Sequence, residues 1–93
     1  MPEVRAAIDA IDDALIDLLA RRARYIDRAA ELKSDAHWPA RIDSRVEEVA
    51  MNARDRAAAA GLDPDFIEHL WRQLIEWSIS REEELLGPAA SGG

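Results

Sequence analysis

The fold is decided by residues 2–34, which read PEVRAAIDAIDDALIDLLARRARYIDRAAELKS. Apolar residues recur here every three or four positions over about eight turns, as on one face of an amphipathic helix. They are Val4, Ile8, Ile11, Leu15, Leu18, Ile26, Ala29 and Leu32. Pro2 suits a first helical turn, and Glu3 suits the positive end of the helix dipole. The stretch predicts one long helix over residues 3–34.

Two shorter helices are predicted downstream, over residues 41–60 and 64–86. Gly61 suits the position just after a helix, where the backbone turns left-handed. Asp63 followed by Pro64 suits a new start, because Asp caps free N–H groups and Pro fits the first helical position. The pattern is typical of an all-α protein.

Composition and charge restrict the classes of function. The chain has 93 residues, of which 48% are apolar, and no cysteine. This favours a single domain over residues 1–93 with a disordered tail at 87–93, and excludes disulfides and thiol nucleophiles. The net charge of −7 argues against a nucleic-acid partner. No apolar run approaches the roughly 18 residues of a membrane span, so we expect a cytoplasmic protein.

The length of the first helix predicts a partner. About 31 residues make a helix of roughly 45 Å, whereas a compact domain of this size has a radius of gyration of about 12 Å. Two shorter helices cannot cover such a length. A second copy of the chain is the simplest cover for the apolar stripe, which predicts an intertwined helical homodimer.

Two cations interrupt that stripe at Arg22 and Lys33. They lie on one face, about 16 Å apart along the axis. One interpretation is that both side chains reach the surface or pair with buried acids. The other is that, with no acid in register, they bind an anionic ligand such as a small dicarboxylate.

The third helix carries a matching irregularity at Ser78 and Glu82, one turn apart in an apolar strip. Ser78 is either a small packing residue or a site residue. Glu82 is either a solvated acid, since two more glutamates follow it, or a site residue. Residues 54–56 and the rest of 81–84 are expected to be solvated faces of mixed charge.

These residues, in this order, resemble the all-helical (AroQ-type) chorismate mutases over residues 3–86. The resemblance is carried by VRAAIDAID at 4–12, LLARR at 18–22, AELK at 30–33, GLD at 61–63 and the helix around 71–79. Within that family the pattern is most similar to the isochorismate-pyruvate lyases. The shared features are Arg45-Val46, Ala53-Arg54, residues 61–63 and Ile75-Glu76-Trp77.

The resemblance implies three catalytic residues. Arg22 matches an arginine that binds a substrate carboxylate. Lys33 matches a lysine that contacts a carboxylate and the ether oxygen of the breaking bond. Glu82 stands where many bacterial members have a glutamine that hydrogen-bonds the ether oxygen, so it must be protonated to donate. No cofactor and no metal are implied.

Three further substrate-binding residues are implied. Arg5 matches an arginine contributed by the other subunit. It lies about 25 Å from Arg22 on one helix, so it reaches that site more easily from an antiparallel partner. Arg45 matches an arginine of the second helix, and Ser78 matches a serine near the substrate carboxylate.

The start of the second helix departs from the mutase pattern. Many mutases carry acids there that bind the ring hydroxyl of the substrate, and the matching positions here are Ile42 and Val46. Asp43 substitutes if the register shifts by one residue. This departure favours the lyase or a relative that acts on another chorismate derivative. The family as a whole and Ser78 favour a chorismate mutase of aromatic amino acid biosynthesis (the shikimate pathway), which is the function we expect. An isochorismate-pyruvate lyase and a non-catalytic helical dimer are the alternatives.

Overall fold

The computed structural model describes residues 1–87, which form three α-helices and no β-strand. Helix α1 spans Pro2–Ala36, α2 spans Asp43–Ala59 and α3 spans Pro64–Leu86. The all-helical prediction is confirmed. None of these helices is apolar over enough of its length to cross a bilayer. The predicted tail, apart from Gly87, lies outside the described residues.

Helix α1 continues two residues beyond its predicted end. His37 follows Ala36 with φ 60° and ψ 35°, in the left-handed region. The Trp38 N–H donates to the Lys33 carbonyl at 2.8 Å, and the His37 N–H donates to that of Ser34 at 3.2 Å. These two bonds satisfy carbonyls that the helix end leaves free. Glycine usually takes this left-handed position, so the histidine at 37 gives no sign in the sequence that the helix ends there.

The turn between α2 and α3 follows the sequence prediction. Gly61 has φ 78°, and the Leu62 N–H donates to the Ala57 carbonyl at 2.8 Å. Glycine adopts this left-handed backbone without a steric penalty. The Asp63 side chain then accepts from the Asp65 N–H at 2.9 Å and caps α3. The predicted roles of Gly61 and Asp63 are confirmed.

Helix α3 packs against α2 on one side and against α1 on the other. The core cluster contains Ala40, Ala50, Ile75 and Ile79, with Val46, Val49 and Leu86 partly buried against it. Helix α2 buries only alanines, at positions 50, 53 and 57. Such small side chains let the backbones of α2 and α3 approach closely.

The first part of α1, residues 2–21, extends away from the rest of the chain, and we call it the α1 arm. Every residue of the arm is exposed. Its large apolar side chains remain 41% to 64% exposed; they are Val4, Ile8, Ile11, Leu15, Ile16, Leu18 and Leu19. The radius of gyration is 16.0 Å, against about 12 Å for a compact chain of this length. Residues 1–87 of a single chain therefore leave a long apolar face of the arm uncovered.

Candidate active site

Four of the predicted site residues meet where α1 crosses α3. Arg22 and Lys33 belong to α1, and eleven residues bring a helix back to nearly the same face. Ser78 and Glu82 lie one turn apart on α3 and are both 4% exposed. The two helices pair these residues one to one, Arg22 with Ser78 and Lys33 with Glu82.

Lys33 is held by an acid and by a main-chain carbonyl. Its Nζ donates to Glu82 Oε2 at 2.9 Å, to Oε1 at 3.2 Å and to the Ala40 carbonyl at 2.7 Å. The expectation that no acid lies in register with the two cations is therefore wrong for Lys33. The interpretation of Glu82 as a solvated acid is also wrong, because its side chain is 5% exposed. Lys33 is satisfied without a ligand, so its position alone does not indicate one.

Arg22 has N–H donors that no described residue uses. It is half-buried, and its Nη1 donates to the Ser78 hydroxyl at 2.6 Å, while that hydroxyl donates to the Leu74 carbonyl at 2.8 Å. This is the only hydrogen bond of the guanidinium among residues 1–87, although a guanidinium has five N–H donors. Burial lowers the pKa of Arg22 from its ordinary value, and the neighbouring charge of Arg45 lowers it further. Partly desolvated donors beside a second cation form a suitable site for a carboxylate.

The other two predicted arginines lie outside this group. Arg45 is exposed on α2 and pairs with Glu48 on the same helix, although its charge acts on Arg22. Arg5 is exposed on the α1 arm, about 25 Å along the continuous helix from Arg22. One protomer therefore brings together Arg22, Lys33, Ser78 and Glu82 but not Arg5.

The segment that enters α2 is apolar on the side facing the core. Ile42 is half-buried in an extended conformation, with φ −123° and ψ 105°, so α2 begins at Asp43 and not at the predicted residue 41. Val46 is half-buried against the core cluster. Asp43 is exposed in the first turn. Neither Ile42 nor Val46 offers a hydrogen-bond acceptor on its side chain.

Two contacts of this region were missed in the sequence. The Ala40 carbonyl, which accepts a hydrogen bond from Lys33, is a main-chain group, so the residue type does not reveal it. Arg81 was assigned to a solvated face, but it binds Asp27 of α1 through two hydrogen bonds, at 2.5 Å and 2.9 Å. Opposite charges spaced along facing helices were the available signal.

Comparisons with known proteins agree on one family. Residues 4–83 match the family described as chorismate mutase type II. The chain is 37% identical over 86 residues to isochorismate pyruvate lyase of Pseudomonas aeruginosa, covering 88% of this chain and 80% of that protein. It is 33% identical over 81 residues to the T-protein of Enterobacter agglomerans, covering 87% of this chain but only 22% of that protein.

A third relative carries a different substrate in its name. The chain is 34% identical over 90 residues to 4-amino-4-deoxychorismate mutase of Streptomyces pristinaespiralis, covering 97% of this chain and 67% of that protein. No solved structure gives a significant match.

Proposed function

The chain belongs to the chorismate mutase type II family, and from this premise we propose that it is a chorismate mutase that converts chorismate to prephenate. The observation that carries the proposal is the half-buried Arg22, whose guanidinium makes one hydrogen bond beside the Lys33–Glu82 pair. We also propose that residues 1–93 act as a single chorismate mutase-like domain in the cytoplasm.

The reaction needs positioning and charge more than reactive groups. In this pericyclic step a carbon–oxygen bond breaks while a carbon–carbon bond forms, and negative charge grows on the ether oxygen. Arg22 is proposed to bind a substrate carboxylate, with the Ser78 hydroxyl beside it. Lys33 is proposed to approach the ether oxygen. Fixed cations in a site shielded from water stabilise the growing charge without reorganising at the moment of reaction.

Glu82 is proposed to act in its protonated form. An ionised carboxylate facing the ether oxygen would repel the charge that develops there, whereas a neutral acid donates a hydrogen bond to it. Protonation also weakens the hold of Glu82 on Lys33, which frees the ammonium group for the substrate. The proposal therefore requires activity to fall as pH rises.

The active form is proposed to be an intertwined homodimer in which Arg5 completes the site of the partner. The uncovered apolar face of the α1 arm supports this, because large exposed apolar faces are typical of interfaces. An antiparallel partner helix would also carry its Arg5 towards Arg22 and Lys33. Within one protomer the continuous helix α1 keeps Arg5 distant from both.

The second candidate is an isochorismate-pyruvate lyase, and one observation favours it. Ile42 and Val46 stand where many mutases have acids for the ring hydroxyl, and both are apolar and half-buried here. A substrate whose hydroxyl lies elsewhere on the ring would lose no hydrogen bond at Ile42 and Val46. The cleavage is also pericyclic and uses the same cations, so Arg22 and Lys33 serve either reaction.

Turnover of chorismate, isochorismate and 4-amino-4-deoxychorismate by the purified protein, at acidic and neutral pH, tests these functions. Prephenate from chorismate is the expected product. Salicylate and pyruvate from isochorismate, with little prephenate, would establish the lyase instead. Preference for the amino compound would reassign the substrate. Turnover of none of the three would support a non-catalytic dimer.

Arg22→Ala tests the site within the same assay. It should lower kcat/KM by about 10- to 150-fold, the loss of one charged hydrogen bond, while the far-ultraviolet circular dichroism keeps its helical intensity. Arg24→Ala is the matched control, because Arg24 is an exposed arginine on the same helix without a hydrogen bond in the described structure. Near-normal turnover by Arg22→Ala would contradict both enzyme proposals.

A further inference from the structure

A second polar connection joins α1 to α3 across the helix contact from the candidate site. Asp27 of α1 accepts from Arg81 of α3, at 2.5 Å from Nε to Oδ1 and 2.9 Å from Nη2 to Oδ2. Two parallel bonds of this kind fix the direction as well as the distance between the partners. The Arg81 guanidinium also lies 5.5 Å from the ring centroid of Trp77, which restricts it further.

The pair lies on the side of the α1–α3 contact away from the candidate site. Asp27 is about 140° around the helix from Arg22, since each residue turns the helix by about 100°. Between these two faces α1 buries Ala30, which is 2% exposed. The narrow contact between the helices therefore has Arg22 and Lys33 along one edge and Asp27 along the other.

Apolar packing does little to fix the helices along that second edge. A groove of about 460 Å³ opens there between α1 and the end of α3. Asp27 lines it, together with Ala30, Glu31, Ser34, Asp35, Leu85 and Leu86. Among the described residues no side chain fills this space, so the hydrogen-bonded pair is the polar connection that restrains how α3 lies against α1 at this edge.

The two pairs at the candidate site cannot serve as permanent restraints. Without substrate, Arg22 donates to Ser78 and Lys33 donates to Glu82. If the proposed function is correct, the substrate accepts hydrogen bonds from both cations and weakens these two pairs. We propose that Asp27 and Arg81 are positioning residues that keep α3 in place against α1 while the substrate occupies those cations. They act through Ser78 and Glu82 and do not touch the substrate.

The test compares Asp27→Asn with Glu47→Gln. Glu47 is a matched control, because it also accepts two hydrogen bonds from an arginine of α3, Arg72, but joins it to α2. We expect kcat of Asp27→Asn to fall by about 10- to 100-fold, as for a small misplacement of catalytic groups. KM should change less. Glu47→Gln should keep both constants.

Reversing the charges separates positioning from general destabilisation. The double variant Asp27→Arg/Arg81→Asp should recover most of the kcat that Asp27→Arg alone or Arg81→Asp alone loses. A role limited to folding stability would alter the melting temperature and leave kcat unchanged. Equal kcat for Asp27→Asn, Glu47→Gln and the wild type would overturn the inference while leaving the proposed function intact. A wild type inactive on every substrate above would overturn both.

Discussion

Two weakened variants of this chain, Arg5→Ala and Arg22→Ala, should regain activity when their chains are mixed, because Arg5 is proposed to act on the partner's site. Each substitution removes a charged donor to a substrate carboxylate. Such a bond contributes about 1.5–3 kcal/mol, so each variant alone should lose about 10- to 150-fold in kcat/KM. Both variants should keep the helix content of the wild type.

The recovery expected on mixing follows from the proposed dimer. Random pairing of equal amounts gives half mixed dimers, and each has one site with both arginines and one with neither. About a quarter of the wild-type activity should therefore return. The assay is prephenate formation after the two variants are denatured and refolded together, so that subunits exchange.

Arg22→Ala mixed with Lys33→Ala is the control. Arg22 and Lys33 are both proposed to act in the site of the chain that carries them. Every site of the mixed dimer therefore lacks one of the two, and no activity should return. Activity of the Arg5 and Arg22 mixture that only equals the average of the two separate variants would refute the contribution of Arg5 from the partner. Wild-type activity of Arg5→Ala alone would remove Arg5 from the site altogether.

Four other outcomes are expected. Glu82→Gln should flatten the fall of kcat/KM with rising pH, because glutamine donates a hydrogen bond at any pH. A wild type with a flat profile would argue against the protonated acid. Leu15→Asp should shift sedimentation towards the monomer. Leu32→Asp should not, because Leu32 is equally 52% exposed but lies beyond the α1 arm; equal sedimentation of the two variants would count against the arm as the interface. His37→Gly should raise the free energy of unfolding by about 0.5–1 kcal/mol in urea titrations, since glycine tolerates the left-handed backbone; a loss of stability would contradict this. The hydrogen bond from Arg81 lowers the pKa of Asp27, so its stabilising effect should be complete above about pH 4 and disappear as pH falls further; the melting temperatures of wild type and Asp27→Asn should converge in acid, and a constant difference would disprove the linkage.

Sequence reasoning succeeded where the determinants are local. The glycine at 61 and the Asp-Pro pair at 63–64 fix a helix end and a helix start within a few residues, and the structure follows them. The length of α1 was also accessible, because its apolar spacing resumes beyond Arg22 with Ile26, Ala29 and Leu32. The end of α1 was missed by two residues, since His37 takes a conformation that its residue type does not announce.

The candidate site was only partly accessible for a different reason. Arg22 and Lys33 were identified because both fall in the apolar stripe of one helix. Their partners come from α3, with Lys33 and Glu82 separated by 49 positions and Asp27 and Arg81 by 54. Which acid meets which base depends on how α3 rotates against α1, and no local pattern records that rotation.

The α1 arm also bears on how catalytic output depends on the abundance of the protein. Residues 2–21 are exposed throughout in a single chain, and in the proposed homodimer a second chain supplies the binding energy that covers their apolar face. If that chain also supplies Arg5, scarce protein is mostly incomplete enzyme. In that dilute regime, halving the chain concentration lowers the number of complete sites about fourfold, by mass action. Specific activity, which is constant for an enzyme complete in one chain, would then rise with concentration until the paired state saturates.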